Sequence, residues 1–590
     1  MKKTVSLLLL LFLGIGFATS QSPKREMRAT WAATVYRLDW PASAISSTGN
    51  TTQINSQKNL MIRLLDSLST ANMNAIFFQV RSRCDAMYNS SYEPWSSDLV
   101  STRGMNPGYD PLAFVVEEAH KRGIEVHTWI NPYRFESVKG AWAGLPGDYK
   151  ATHPDWVLSY SSSTILDPGR PEVRKRIKDI IGEIVNNYDI DGVVFDDYFY
   201  RSGTGSLDAA TQALYKPSSM SVDDWRRKNV NDMVAAVYDT IQKVKPYVTF
   251  GIGPFGIWTT QSRVATSYGL TLPPGITGQD AYQALYCDAV AWLQAGTVDY
   301  ISPQLYWSTY KNGQQYGVLC PWWANVADKY GKHFYTSQTL DSIVNRGISR
   351  ISETELQIDI NRSSTKNGAP GSVFYSAKPF YNIAAFPGLL RNGSFSQKAL
   401  VPAIDWKTHP TYGAVTGLKL TGNQLTWDLI PGVRYTIYAI PPSQVGTVGV
   451  FSTSTYLLGV SYTNSYTLNS TIASGDYCYG VAVYDRYGNE FTHAVLFSTP
   501  TGLPFVNGDA FNCFAYHAND GVYLKMRSES QNTLNVSLIS VQGSKQYHLL
   551  TNETLSAGEH TVPLPAGLPK GIYLIQVNSS LGNKVIKIAI

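Results

Sequence analysis

Two rhythms of apolar residues alternate along the chain from Arg28 to about Asp405. The short runs "MRATWAAT", "AIFFQV", "EVHTWIN", "GVVFDD", "VTFGIGPF", "DYISPQLY", "HFYTSQTL" and "GSVFYSAKPF" have the length and the β-branched and aromatic content of buried strands. Between them, Gln57–Ala71, Pro111–Arg122, Pro171–Tyr188, Asp223–Val244, Gln279–Ala295, Pro321–Tyr330 and Ser352–Ser363 predict amphipathic helices. Start and stop signals agree, since Asp110 precedes Pro111 and Gly123 follows Arg122. Eight strand–helix alternations predict an α/β fold in which residues 24–405 close into a (β/α)8 TIM barrel. A doubly wound open sheet would carry a Gly-rich phosphate loop after its first strand, and the sequence has none there.

After Trp406 helical periodicity vanishes. The stretches "LTWDLIPGVRYTIYAI" and "GDYCYGVAVYDRYGNEFTHAVLF" alternate at period two, broken by Gly, Pro and Asn. Residues 412–500 therefore predict a β-sandwich similar to a fibronectin type III module. "STPTGLPFVNGD" reads as a linker, and residues 505–590 as a second small all-β domain. Its end resembles the C-terminal sorting domain of the bacterial type IX secretion system. That resemblance rests on the "KGIYLIQV" strand, a turn at Gly582–Asn583 and a last strand carrying Lys584 and Lys587. It implies the secretion machinery as a partner.

Charge and composition narrow the function. The net charge of +5 is small and evenly spread, which argues against a nucleic-acid partner. The cysteines, at 84, 287, 320, 478 and 513, form no C-x-x-C, so neither a zinc site nor a disulfide framework is expected, and no cofactor is implied. A single Cys287–Cys320 bridge is the one pairing considered. Lys2 and Lys3 ahead of the apolar run Leu7–Leu13, with Ala18 and Ser20 at the cleavage positions, predict a signal peptide over residues 1–20. No stretch is long and apolar enough for a transmembrane segment, so the mature protein is expected to be secreted or to reside in the cell envelope.

The chemistry concentrates in "DGVVFDDYFY", residues 191–200. A strand that ends in two adjacent carboxylates, Asp196 and Asp197, cannot bury both unpaired, so the pair belongs at the mouth where the fourth strand emerges. Active sites of such barrels gather at that rim. The second strand delivers Gln79, Arg81 and Asp85 there, and the third Trp129, Asn131 and Arg134. Tyr198 follows the acids, the fifth strand adds Trp258, and the sixth Gln304, Tyr306 and Trp307. Amides, arginines and indoles converging on acids describe a carbohydrate site.

Seven co-linear strings, "REMRATWAATV", "FQVRSRCDAMYNSSYEPWS", "GYDPLAFVVEEAHKRGIEVHTWINPYR", "LDPGRPEVR", "DGVVFDDYFY", "GPFGIW" and "DYISPQLYW", resemble the glycosyl-hydrolase-like family 10, also catalogued as domain of unknown function 187. The resemblance covers roughly residues 24–345. It implies a glycosidase barrel of bacterial envelopes, with cell-wall glycan strands as one substrate.

Glycoside hydrolysis normally needs two carboxyl groups. Strand alternation predicts Asp196 facing the barrel axis and Asp197 turned toward a loop. The strand is similar to the D-G-x-D-x-D-x-E signature of family 18 chitinases, but Val194 replaces the middle Asp and Tyr198 the catalytic Glu, which argues against chitinase-type chemistry. Asp196 is thus the expected acid and Asp197 its partner. Asp85 is favoured as second carboxyl over Asp341 and Glu136. The rings of Trp129, Trp258 and Trp307 are expected to stack on sugars. Asn131, Arg134 and Gln304 are expected to bond sugar hydroxyls or carboxyls. His127 is expected to be an interior histidine. The rival reading is a non-catalytic glycan-binding surface protein on a degenerate barrel.

Overall fold

The computed structural model describes residues 22–445, 449–497, 511–518, 521–540, 546–579 and 581–590. The predicted signal peptide and the linker at 498–509 lie outside the described residues. The chain divides into two compact units, 1–407 and 408–590.

The first unit is a closed parallel barrel. Its strands are β1 (Met27–Ala32), β2 (Ala75–Arg81), β3 (Glu125–Ile130), β4 (Gly192–Phe195), β5 (Thr249–Ile252), β6 (Tyr300–Ile301), β7 and β8 (Gly371–Tyr375). Strand β7 comes in two pieces about Tyr335. His333–Phe334 pairs with β6 and Thr336–Thr339 pairs with β8, which itself pairs with β1 and closes the ring. Every pairing around the ring is parallel and sequential. All eight predicted strands are present.

The outer helices include α1 (Thr51–Thr70), α2 (Pro111–His120), α3 (Pro171–Asn187), α4 (Val222–Val244), α5 (Ala289–Ala295), α6 (Tyr316–Lys329) and α7 (Ile351–Ser364). The helix expected over Gln279–Ala295 is broken. Asp280 and Asp288 each cap a separate helix, Ala281–Ala284 and α5, and Tyr286 between them takes a left-handed φ of 53°.

The barrel interior is aromatic. Trp31 stands edge-on to both Phe77 and Trp129, and Phe77 stacks on His127. Room for two of the rings comes from glycines on the neighbouring strands. A Cβ on Gly192 would lie 2.3 Å from the His127 ring, and one on Gly251 2.0 Å from the Tyr300 ring. His127 is the satisfied interior residue expected, beside the Tyr300 hydroxyl at 3.0 Å and Glu125 at 3.3 Å. Cys287 and Cys320 are buried and are not bridged.

The second unit holds two antiparallel β regions, each with a three-stranded and a four-stranded sheet. In the first, Arg434–Ile440 pairs with Cys478–Tyr484 over a core that includes Leu425, Trp427, Ile437 and Val481. In the last, Asn532–Ser540 pairs with Ile572–Ser579, and Leu534, Val536, Ile575 and Val577 are buried. Gly582 and Asn583 belong to the final strand rather than the turn, because Ser579 already pairs with Gly582.

Candidate active site

Alternation along β4 sends Val193 and Phe195 into the layer under the helices, which leaves Asp196 facing the axis at the mouth. The residue is 4% exposed. Oδ2 accepts the Trp129 indole N–H at 3.0 Å and the Asn131 amide at 2.6 Å, and Oδ1 accepts the Tyr198 backbone N–H at 3.2 Å. Among the described residues no cation pairs with it directly. Burial, and then the charge of Asp197, push its pKa up to about 8, against the pull of these donors and the more distant Arg134.

The Asn131 amide is aimed by a chain of one-way donors. The backbone N–H groups of Thr34 and Val35 both donate to Gln79 Oε1, at 2.9 Å each. That turns the Gln79 NH2 onto Asn131 Oδ1 at 2.8 Å and leaves the Asn131 NH2 for Asp196. Gln79 and Asn131 are fully buried, so their role is to hold the acid.

The Asp197 side chain is within reach of the Gln304 side chain, in the loop after β6, and is also raised by burial with Gln304 opposing the shift. The two acids therefore fork, Asp196 toward β3 and Asp197 toward β6. Burial and then both carboxylates push the Tyr198 hydroxyl up to about 12; its ring is exposed and lies under the Arg134 guanidinium at 4.9 Å.

Other predicted site residues do different work. Asp85 is 1% exposed and fully engaged. Oδ1 accepts from the backbone of Ser82 and Arg83, Oδ2 accepts the Ser96 hydroxyl at 2.7 Å, and Arg103 lies at 3.5 Å. Burial would raise it, but Arg103, Arg83 and these donors outweigh burial and hold it below the usual carboxylate range. Glu136 is likewise consumed by Trp142 and Thr164.

Arg81 is buried and binds Glu93 and the carbonyls of Asn131 and Pro132, so it braces the loop and offers nothing to a ligand. Trp129 presents its N–H to the acid and its face to Trp31, not to solvent. Trp258 is 2% exposed, bonded to Asp288 and stacked on Trp322, so it lies in the packing outside the mouth. Gln304, Tyr306 and Trp307 are half-buried. Gln304 donates to the Gly253 carbonyl, Tyr306 stacks on Tyr375, and Trp307 stands edge-on to Phe255.

Sequence reasoning missed Tyr375 and Trp31. The aromatic end of "GSVFY", one strand from closure, was the available signal for Tyr375. Among the described residues no group of three or more His, Cys, Asp or Glu could hold a metal ion, and no helix is long and apolar enough to cross a membrane.

Comparison with known proteins bears on this site. The family described as glycosyl hydrolase-like 10 matches residues 26–350. The "Glycosyl hydrolase YngK" of Bacillus subtilis (strain 168) is 38% identical over 403 residues, covering 67% of this chain and 76% of that protein. The "Glycosyl hydrolase DigH" of Escherichia coli (strain K12) is 36% identical over 367 residues, covering 58% of this chain and 82% of that protein. Among solved structures, the PgaB (BpsB) glycoside hydrolase domain from Bordetella bronchiseptica aligns at 12% identity with a TM-score of 0.40, over 62% of this chain and 98% of that one.

Proposed function

The chain belongs to the glycosyl hydrolase-like 10 family, and we propose that it is an exported glycoside hydrolase cleaving O-glycosidic bonds of a polysaccharide, with peptidoglycan glycan strands as the leading substrate. The observation that carries this reading is Asp196, a carboxyl at the barrel mouth held by neutral donors and kept protonated at neutral pH by burial and by a neighbouring acid. Asp196 protonates the leaving oxygen. Its Oδ1, which accepts only one long hydrogen bond among the described contacts, is the oxygen free to carry that proton. Asp197 is the carboxylate that supports the developing positive charge or activates water. Tyr198, Arg134, Gln304, Tyr306 and Trp307 supply the sugar-facing rim, and Gln79, Asn131 and Trp129 position the acid.

The predicted signal supports export. The three-plus-four strand arrangement over 412–500 supports the fibronectin type III-like reading, and the terminal β region is assigned to sorting or attachment. The deciding experiment is product release by the purified protein from peptidoglycan and a polysaccharide panel. New reducing ends from at least one glycan, lost in Asp196→Asn, are expected. Binding without turnover on every glycan would replace this reading with the glycan-binding rival.

A further inference from the structure

The loop after β1 presents a short exposed tip between two anchored ends. Ala33, Thr34, Val35, Asp39 and Trp40 are buried, whereas Tyr36, Arg37 and Leu38 stand in solvent. At one end Gln79 Oε1 holds the backbone N–H groups of Thr34 and Val35, at the head of the chain that aims Asn131 onto Asp196. At the other end the Asp39 carboxyl accepts from Ala33 N–H, the Ser376 hydroxyl and Lys378 N–H, and the Trp40 indole donates to the Gln57 carbonyl at 2.9 Å.

The tip is strained. Tyr36 has a φ of 56° and Arg37 a φ of 54°, and among the described residues they are the one adjacent pair of non-glycine residues in the left-handed region. There the side chain crowds the backbone carbonyl, and glycine is the residue that fits without strain. Burial does not account for the tyrosine, which is 51% exposed. Its ring is nonetheless braced. The Arg83 guanidinium lies 4.7 Å from it and 5.2 Å from the Trp142 ring, and Arg83 pairs with Asp98, whose carboxyl is also within reach of the Tyr36 backbone N–H. Backbone strain held in place around an exposed ring at the rim of a barrel mouth marks a ligand contact rather than a packing residue.

We propose that Tyr36 is a glycan-binding residue that takes the face of a pyranose ring beyond the unit being cleaved. Its neighbours come from the segments after β2 and β3, whereas the acid pair is faced by Tyr198, Arg134 and Tyr306, so the sugar it meets lies outside the catalytic centre. The C–H face of a sugar suits a flat ring, and tyrosine loses little side-chain freedom on being covered. This assignment rests on the glycosidase reading for the identity of the ligand as a glycan, but the binding it asserts is measurable without turnover.

The test is co-sedimentation of the full-length Asp196→Asn protein, alone and combined with Tyr36→Gly or Tyr36→Trp, with purified peptidoglycan, chitin and cellulose. On the glycan that the parent binds, Tyr36→Gly is expected to weaken binding about tenfold, the worth of covering one aromatic ring, and Tyr36→Trp to retain it. The thermal midpoint of Tyr36→Gly is expected to hold or rise, because glycine relieves the left-handed strain. In the otherwise wild-type chain, Tyr36→Gly should leave the alkaline limb of the pH–rate profile in place, since a ligand contact does not act on Asp196 through Gln79. Unchanged binding, a midpoint lower by several degrees, a shifted limb, or a parent that sediments with none of the three glycans overturns the proposal. Weakened binding in Tyr36→Gly without wild-type hydrolysis of any glycan removes the catalytic reading and leaves Tyr36 as a binding residue, whereas hydrolysis with unchanged binding does the reverse.

Discussion

Asp196 and Asp85 stand on neighbouring parts of one barrel rim, equally hidden from water, and are driven in opposite directions. Both lose hydration, which favours the neutral acid. Around Asp85 the loss is outweighed by Arg103, Arg83, two backbone N–H groups and a serine hydroxyl, so the carboxylate stays ionised and ties the loop after β2 together. Around Asp196 the donors are an indole, an amide and one backbone N–H, and the nearest charge is another acid. Burial makes a carboxyl expensive; the sign of its neighbours decides whether it becomes a structural anion or a proton donor.

The sharpest way to break the contrast is Asp196→Asn. Loss of the proton should lower turnover by ~10²–10⁴, measured on whichever glycan the wild type cleaves. A substrate with a dinitrophenolate leaving group, which needs no protonation, should recover much of that rate. Wild-type turnover in the variant would end the proton-donor assignment. Asp197→Asn should cost about as much on natural substrate, ~10²-fold. It should also move the alkaline limb of the pH–rate profile downward, because the negative neighbour that raises Asp196 is gone. An unmoved limb would mean that the two acids do not share their charge.

Asp85→Asn should act on the fold instead. Leaving Arg103 without its buried anion should cost ~3–5 kcal/mol of stability in chemical denaturation, while the folded fraction keeps turnover within a few-fold of wild type. A stable but inactive Asp85→Asn protein would return that residue to the catalytic role the sequence suggested. Asn131→Leu is a milder probe of the positioning chain. It strands the buried Gln79 amide, for ~1–3 kcal/mol of stability, and removes a donor to the carboxylate, so the alkaline limb should move up.

The contrast also extends to the pH dependence of stability. The folded pKa of Asp196 lies above its unfolded value, so the folded state binds the extra proton, and stability falls as pH rises from about 4 toward about 8. Asp196→Asn should flatten that slope. Asp85 is shifted the other way, so its contribution is present above the unfolded value near 4 and is lost as pH drops below it. Asp85→Asn should flatten only the acid side. Parallel unfolding curves for both variants across pH would deny the contrast between the two acids.

The barrel and the address of its site were legible in the chain alone. Eight apolar runs separated by amphipathic helices leave one economical way to bury all those faces, and a carboxylate pair at a strand's end has to sit at the rim. The local breaks were harder to read, as with the helix expected over 279–295, where two capping aspartates and a left-handed tyrosine overrode the periodicity.

Roles within the site came only from the packed molecule. Asp196 finds its donors 65 and 67 residues back along the chain, and Asp197 faces a glutamine from the loop after β6. Trp258 looked like a rim indole until Asp288 and Trp322 claimed it. Hydrophobic periodicity is a property of neighbouring residues, so one sequence carries it. The protonation state of a buried acid is a sum over whatever the closed barrel brings within a few ångströms, and only the tertiary structure determines that sum.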